Sequence, residues 1–331
     1  MSHPVVTEIV PTRAIEGGRV TLVGDQFPVD LPGLPDVRVR DLPARVVFAS
    51  PRRLTIVVPP GLGGGPAPVR VGGGTGITAS LNVAAPIASG LHQVDSPAID
   101  RAGNLYVTYS GTRGQEAQAS IFRISRDGTR QTFSSSVVNP TSLAFDGDGH
   151  LFVSSRFEGT VYRIAPDGSA EPFVTDLGVA CGLAFAPDGT LFVGDRSGTI
   201  FAVDTTGRPR TFATLPPSVA AFHLALGRDG LYVTAPTLSS CDLVYRIEFD
   251  GTVFVHGRRS FGRPQGLAFG DDGALFVVEA LAGASGLYRF TPDGDAELVL
   301  AGAGLIGAAF DRSGGLVVCS SDTAYRLPLY G

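Results

Sequence analysis

At 331 residues and 44% hydrophobic content, the chain has the apolar side chains to bury a substantial core and the length for two domains. Its formal charge of -5 speaks against nucleic acid or an anionic membrane surface as a partner, since both recruit a basic face. All 26 side chains of the Lys and Arg class are arginine, which excludes Schiff-base chemistry and a lysine general base. Cys181, Cys241 and Cys319 form an odd set with no Cys-x-x-Cys pair, so neither a disulfide framework nor a zinc knuckle is written here, and a reducing, cytoplasmic setting is expected. Residues 1–8 lack the basic start and apolar run of a signal peptide. No stretch approaches the roughly 20 apolar residues of a membrane helix, so no membrane insertion is expected.

In chain order, the first elements are short strands over residues 4–83, marked by alternating apolar residues and glycine turns. The words that stand out are Ile9-Val-Pro11, Glu16-Gly-Gly-Arg-Val-Thr-Leu-Val-Gly-Asp-Gln-Phe27, Ser50-Pro-Arg-Arg-Leu-Thr-Ile-Val-Val-Pro59 and Val69-Arg-Val71. This segment resembles a TIG (IPT) domain, an immunoglobulin-like β-sandwich. The resemblance implies a spacer or contact surface rather than chemistry. Where that family usually has Phe-Gly, this chain has Val39-Arg40, and a variant turn is expected there.

From about residue 94 a unit repeats six times, registered by a turn glycine before a short apolar strand. Its copies are Gly103-Asn-Leu-Tyr-Val107, Gly149-His-Leu-Phe-Val153, Gly189-Thr-Leu-Phe-Val193, Gly230-Leu-Tyr-Val233, Gly273-Ala-Leu-Phe-Val277 and Gly314-Gly-Leu-Val-Val318. The glycines follow one another at 40 to 46 residues, the period of a four-stranded propeller blade. A second turn recurs as Asp127-Gly128, Asp167-Gly168, Asp250-Gly251 and Asp293-Gly294, a pair that tolerates the positive φ of tight hairpins. In the second unit the strands are expected at residues 142–146, 151–155, 161–165 and 170–174. The sixth unit lacks a fourth strand after residues 324–327, so residues 87–93 are expected to supply it and close the ring. The domains then read as residues 1–85, a sandwich, and residues 86–331, a six-bladed β-propeller; the fold class is all-β.

Gly182-Leu-Ala-Phe-Ala-Pro-Asp-Gly-Thr-Leu-Phe-Val193 and its counterparts resemble the NHL and SMP-30 (gluconolactonase) group of six-bladed propellers. The wording is specific for the fold and recurs across many functions. For the lactonase members the resemblance implies a divalent metal at the axial mouth, held by a Glu, two Asn and an Asp. The aligned positions here are Asp95, Thr141, Cys181, Phe222, Gln265 and Ile306, with one carboxylate among them. Such a ring does not suit a hard cation, so no metal, cofactor or catalytic residue is assigned.

Cys181 and His223 begin adjacent innermost strands and could meet as thiol and base, although packing between blades is the plainer reading, and His223 stands one place out of register. Asp146-Gly-Asp148-Gly and Asp271-Asp272-Gly hint at calcium loops but occupy the hairpin turn common to every unit. The recurrent Arg123, Arg163, Arg246, Arg289 and Arg326 read as solvent-facing or interblade pairs. The connectors between second and third strands vary more, and loops on a rigid scaffold are where binding usually lies. They carry Arg113, Glu116, Arg156, Glu158, Asp195, Arg196, Asp242, Glu279 and Asp322, a set that reads equally as a solvated charged rim. The expectation is a non-catalytic binding or scaffold protein, with another protein as partner and Asp95, Thr141, Cys181, His223 and Gln265 as axial binding candidates. The alternative is a lactonase-like hydrolase with a remodelled site.

Overall fold

The structure, a computed structural model, describes residues 4–29, 33–72 and 79–328; the outer ends of both expected domains, residues 1–3 and 329–331, lie outside it. Among the described residues every regular element is a β-strand or bridge, and no helix is long and apolar enough to cross a membrane.

The N-terminal strands form two sheets. One runs Val5–Val10, Arg19–Asp25, Arg53–Val57, Arg45–Ser50; the other runs Arg13–Ala14, Ala79–Val83, Gly65–Val71, Val37–Val39, Leu42–Pro43. Alternation along each strand turns one set of side chains inward: Val20, Leu22, Leu54 and Ile56 of the first sheet and Val69, Leu81 and Val83 of the second share one dry core. At the unusual Val39-Arg40 turn, Arg40 itself takes a positive φ of 52°. Its guanidinium donates to the Gly64 and Pro66 carbonyls at 2.6 and 3.0 Å and also to the Leu62 carbonyl, which hold a conformation that usually falls to glycine.

The remaining chain builds six antiparallel four-stranded units. Their innermost strands are Ala98–Ile99, Pro140–Phe145, Ala180–Phe185, His223–Leu226, Pro264–Phe269 and Leu305–Phe310; they touch in cyclic order, the last against the first. This is a β-propeller-type arrangement. Side chains pack between units in clusters such as Phe152, Val174 and Leu183, or Phe192, Phe222 and Val233. The turns are built as their sequence demands: Gly189 has φ 88°, and Asp188 accepts the Thr190 amide at 2.9 Å. In the second unit the strands are Pro140–Phe145, Leu151–Ser155, Thr160–Ile164 and Ala170–Val174.

The strand that completes the sixth unit differs from the expected residues 87–93. It is Ala85–Ala88, paired antiparallel to Ala324–Pro328 with Pro86 opposite Tyr325. Beyond an irregularity before Ala88, the chain leaves the ladder, keeping two further bonds to the sixth unit, Leu91 N to Asp322 O and Gln93 N to Ser321 O at 2.9 and 3.0 Å, while His92 bridges to Tyr109 of the first unit. Gly90, at φ 70°, turns the chain there. The strand starts at Ala85, one residue before the expected domain boundary, because Ala79–Val83 runs into it through Ala84 alone. Arg13–Ala14 also pairs in parallel with both Ala79–Val83 and the outer strand Ala296–Ala301 of the fifth unit, joining the N-terminal sheet to the ring.

Candidate functional site

The starts of the innermost strands and the connectors between second and third strands lie on the same face, because each unit runs inward strand down, second strand up. In the second, third and fifth units the innermost strand is irregular there: two residues, for example Cys181 and Gly182, are accommodated between Ala180 opposite Asp195 and Leu183 opposite Val193. The fourth unit lacks this irregularity, and His223 pairs directly with Thr234. Its residues are therefore out of step with those of the second, third and fifth units. Phe222, aligned by sequence with the axial ring, instead packs between the third and fourth units, against Gly194 and beside Gly182, and is fully buried. His223 takes the axial place.

The consequence is a contact that crosses the axis. His223 Nδ1 lies 2.6 Å from Asp95 Oδ1, and these residues come from the fourth and first units, opposite one another in the ring. Both side chains are buried, at 1% and 5% exposure. Asp95 Oδ1 also accepts the Ser96 amide at 2.6 Å, and Gln93 braces the strand start by donating to the Asp95 carbonyl and accepting the Thr108 amide. With Nδ1 so engaged, the other ring nitrogen, Nε2, is buried without a hydrogen-bond partner, as are Gln265 Nε2, Thr108 Oγ1 and Ser110 Oγ. The last two belong to the second strand and connector of the first unit.

Cys181 does not pair with His223. Its thiol donates to the Val179 carbonyl at 3.3 Å, and burial, opposed by the Phe222 backbone, pushes its pKa up to about 12. A thiol so protected is no nucleophile at neutral pH. Thr141 turns back on its own strand, donating to the Asn139 carbonyl at 3.3 Å.

Three carboxylates expected at the rim are buried braces: Asp195 accepts the Val179 amide at 2.8 Å and the Ser197 hydroxyl, Asp242 takes both the amide and hydroxyl of Thr237, and Glu279 takes the amides of Gly262, Arg263 and Leu281. Asp322 is exposed and accepts from Thr323, while exposed Glu158 raises the pKa of Tyr162, second to burial, by hydrogen bonding to it. Arg113 and Glu116 are exposed on the first connector, Arg196 is tied to the Ser218 and Val219 carbonyls at 3.2 and 2.8 Å, and Arg156 is half-buried. Asn139, at φ 46°, was not among the expected site residues; its side chain holds the first connector by donating to the Ser110 and Thr112 carbonyls and accepting the Gly114 amide. Two of the five recurrent arginines of the third strands pair within their own units, Arg246 with Asp229 at 2.7 Å and Arg289 with Asp272 at 2.8 Å.

The axial donors do not suit the metal that a lactonase would hold. Asp95, the one ring carboxylate, is spent on His223 and Ser96, and Ile306 offers no donor. Among the described residues, only Asp146, Asp148 and His150 bring three donor atoms of the His, Cys, Asp and Glu kind together. They sit on the opposite face, where Asp146 accepts the Asp148 and His150 amides and the His150 ring, and turn geometry accounts for them.

No family model and no curated protein matches the chain. Solved structures do. An auxiliary nutrient binding protein from Bacteroides ovatus is 14% identical with a TM-score of 0.57, covering 99% of this chain and 98% of its own. A gluconolactonase from Xanthomonas campestris is 18% identical at TM-score 0.59, covering 73% and 87% respectively. Virginiamycin B lyase from Staphylococcus aureus is 16% identical at TM-score 0.51, covering 72% and 84%. Identities this low carry the fold and nothing further: the chain contains a β-propeller.

Proposed function

We propose that the chain is a non-catalytic binding protein, a TIG-like sandwich over residues 4–83 leading into a six-bladed propeller whose axial mouth and connector face take a polar ligand. The sandwich is the second contact surface, for a protein partner in an assembly, in a reducing cytoplasmic setting. The observation that carries this reading is the buried, unpartnered Nε2 of His223, close to the axis and accompanied by the equally unpartnered amide of Gln265. A buried polar group without a partner costs about 1–3 kcal/mol, which a hydrogen-bonding occupant recovers. The similarity to an auxiliary nutrient binding protein accords with this but rests on fold alone.

Metal titration of metal-stripped protein, read alongside lactone hydrolysis, tests it. The expected result is no stoichiometric Ca²⁺, Mg²⁺ or Zn²⁺ binding and no metal-dependent hydrolysis of simple lactones. One tightly held metal per chain, lost in Asp95→Ala, overturns it. One observation favours a second reading: a histidine oriented by a carboxylate, with Nε2 left unpartnered, is also how a general base is held. Under that reading His223→Gln abolishes a measurable turnover; under the first there is no turnover to lose.

A further inference from the structure

We infer that the cleft between the N-terminal sheets and the connector of the fifth unit is an anion site, in which Arg19 and Arg45 hold a carboxylate or phosphate group of a small molecule. The site is separate from the axial mouth and stands whichever way that mouth is read.

Strand register brings the two arginines together. Arg19 and Arg45 are both paired with Val57, from either side of strand Arg53–Val57. Their neighbours Val20, Val46 and Ile56 point into the N-terminal core, so Arg19, Val57 and Arg45 form a row across the outer face of that sheet. Adjacent strands are about 5 Å apart, and two arginine side chains set that close on either side of Val57 are long enough to converge on one group above it. The row lies at the end of the sheet that abuts the ring: the Val58 amide donates to the Gly18 carbonyl at 2.9 Å, and a Cβ on Gly17 would fall 3.8 Å from that of Ala303. Across from it runs the connector of residues 280–285, where the Leu281 carbonyl accepts the Ala284 amide at 3.2 Å and the Ser285 hydroxyl at 2.8 Å. Gly283 takes a φ of 100° in this turn, a conformation that favours glycine, and a Cβ there would stand 3.6 Å from Arg19 Nη1. Between the two sides is a cleft of about 290 Å³, walled on the ring side mainly by small residues such as Ala282, Gly283 and Ala303.

No carboxylate lines this cleft. Among the described residues neither Arg19 nor Arg45 forms an ion pair, whereas Arg38, Arg52 and Arg70 of the same N-terminal region each meet an aspartate. The acids next to it in sequence are engaged elsewhere: Glu16 accepts the Gly61 and Leu62 amides at 3.0 and 2.9 Å, and Glu279 braces its own connector. Acidic residues outnumber arginines in this chain by 31 to 26, so two guanidiniums on one cleft without a counter-charge stand out against the rest of the molecule. The positive potential they leave is cancelled only by an anion from outside. The planar fork of arginine matches carboxylate and phosphate oxygens in pairs. The volume is at the small end of ligand sites, which run from about 300 to 1,000 Å³, so it suits one such group with the rest of the molecule in solvent. An anion held there by both arginines and reaching the 280–285 turn would bridge the N-terminal sheet to the ring.

Calorimetric titration of the full chain at low salt, with citrate, inorganic phosphate and neutral glucose as probes, tests the site. Citrate or phosphate should bind saturably at millimolar concentrations or below, less tightly as sodium chloride is added, and glucose should not bind in competition with them. Arg19→Gln and Arg45→Gln should each weaken the binding about 3- to 10-fold, as loss of a charge-assisted contact at a partly exposed site does, and the double substitution should abolish it. Both arginines are exposed, so the variants keep the fold. Arg53→Gln, which removes an exposed arginine of the same strand as Val57 but outside the cleft, should leave the affinity unchanged. Phosphate should also raise the melting temperature of the parent and not that of the double variant, because only the parent binds it. Absence of saturable anion binding, or binding that survives the double substitution, overturns the inference. So does a loss in Arg53→Gln as large as in Arg19→Gln, which would reduce the effect to net charge.

Discussion

Two side chains from opposite sides of the ring meet at its centre, and everything near them follows from that hydrogen bond. His223 can keep its Nδ1 buried only because Asp95 accepts from it, so the two are expected to be energetically one unit. Asp95→Ala leaves the imidazole without its acceptor in a buried place and should cost about 3–5 kcal/mol in urea unfolding, whereas Asp95→Asn, which keeps an acceptor oxygen, should cost markedly less. Equal losses in the two variants would show that the carboxylate is there for space rather than for His223. The cysteines separate by environment in the same way. All three are free; Cys181 and Cys319 are buried with pKa values raised by burial, and Cys241 is exposed. Native protein at pH 8 should take up one equivalent of a maleimide, at Cys241, and denatured protein three; rapid native labelling of Cys181 would contradict its burial.

Among the elements, the turns were readable and the axial pairing was not, for one physical reason. An Asp-Gly turn is a local matter of φ and a side-chain acceptor, so Gly149 and Gly189 announce themselves from neighbouring residues. The Asp95–His223 contact joins residues 128 positions apart and depends on a missing irregularity in His223–Leu226, which no pattern of residue types displays. Hence Phe222 was aligned to the axis and His223 took its place. Buried roles of Asp195, Asp242 and Glu279 were equally hidden, since a carboxylate that braces loop amides reads the same in sequence as one on a rim. Elsewhere in the fourth unit, strand Val253–Phe261 carries a titratable element. His256 packs edge-on against Tyr232 and tilted against Phe290, with ring centroids 4.9 and 4.8 Å away. Burial lowers its pKa below 6.5, Arg246 adds to this, and Asp229 opposes it. A depressed histidine pKa means the unfolded chain binds its proton first, so its contribution is intact above pH 6.5 and is lost as pH falls through 6.5 toward the folded value. His256→Phe should flatten the decline in stability between pH 7 and 5; an unchanged slope would assign that decline to other groups.

At the scale of the whole molecule, the N-terminal sheets are not a tethered appendage. Ile15 leaves their side of the junction and is buried among Phe276, Leu287, Leu300 and Leu305 of the ring, while Ala301 of the ring belongs to the N-terminal core. The Ile15 amide donates to the Ala301 carbonyl at 2.9 Å, and the Ala84 amide to the Ala14 carbonyl at 2.8 Å. At Gly18 a Cβ would fall 2.4 Å from the Ala301 oxygen, so the backbones meet where only glycine fits without a shift. Since Ala84 is also the only residue between the last N-terminal strand and the strand that closes the ring, unfolding the N-terminal sheets must strip the ring of its closure. The two halves are therefore expected to melt together, in a single calorimetric transition whose measured enthalpy matches the van't Hoff value. Ile15→Ala removes the side chain that ties the cores and should cost about 2–5 kcal/mol, splitting the transition into two as the halves uncouple. Gly18→Ala, which wedges the backbones apart without emptying the core, should split it as well. Two separate transitions in the parent chain, or an Ile15→Ala variant that melts as the parent does, would show that the halves are stable independently and that the shared core does not couple them.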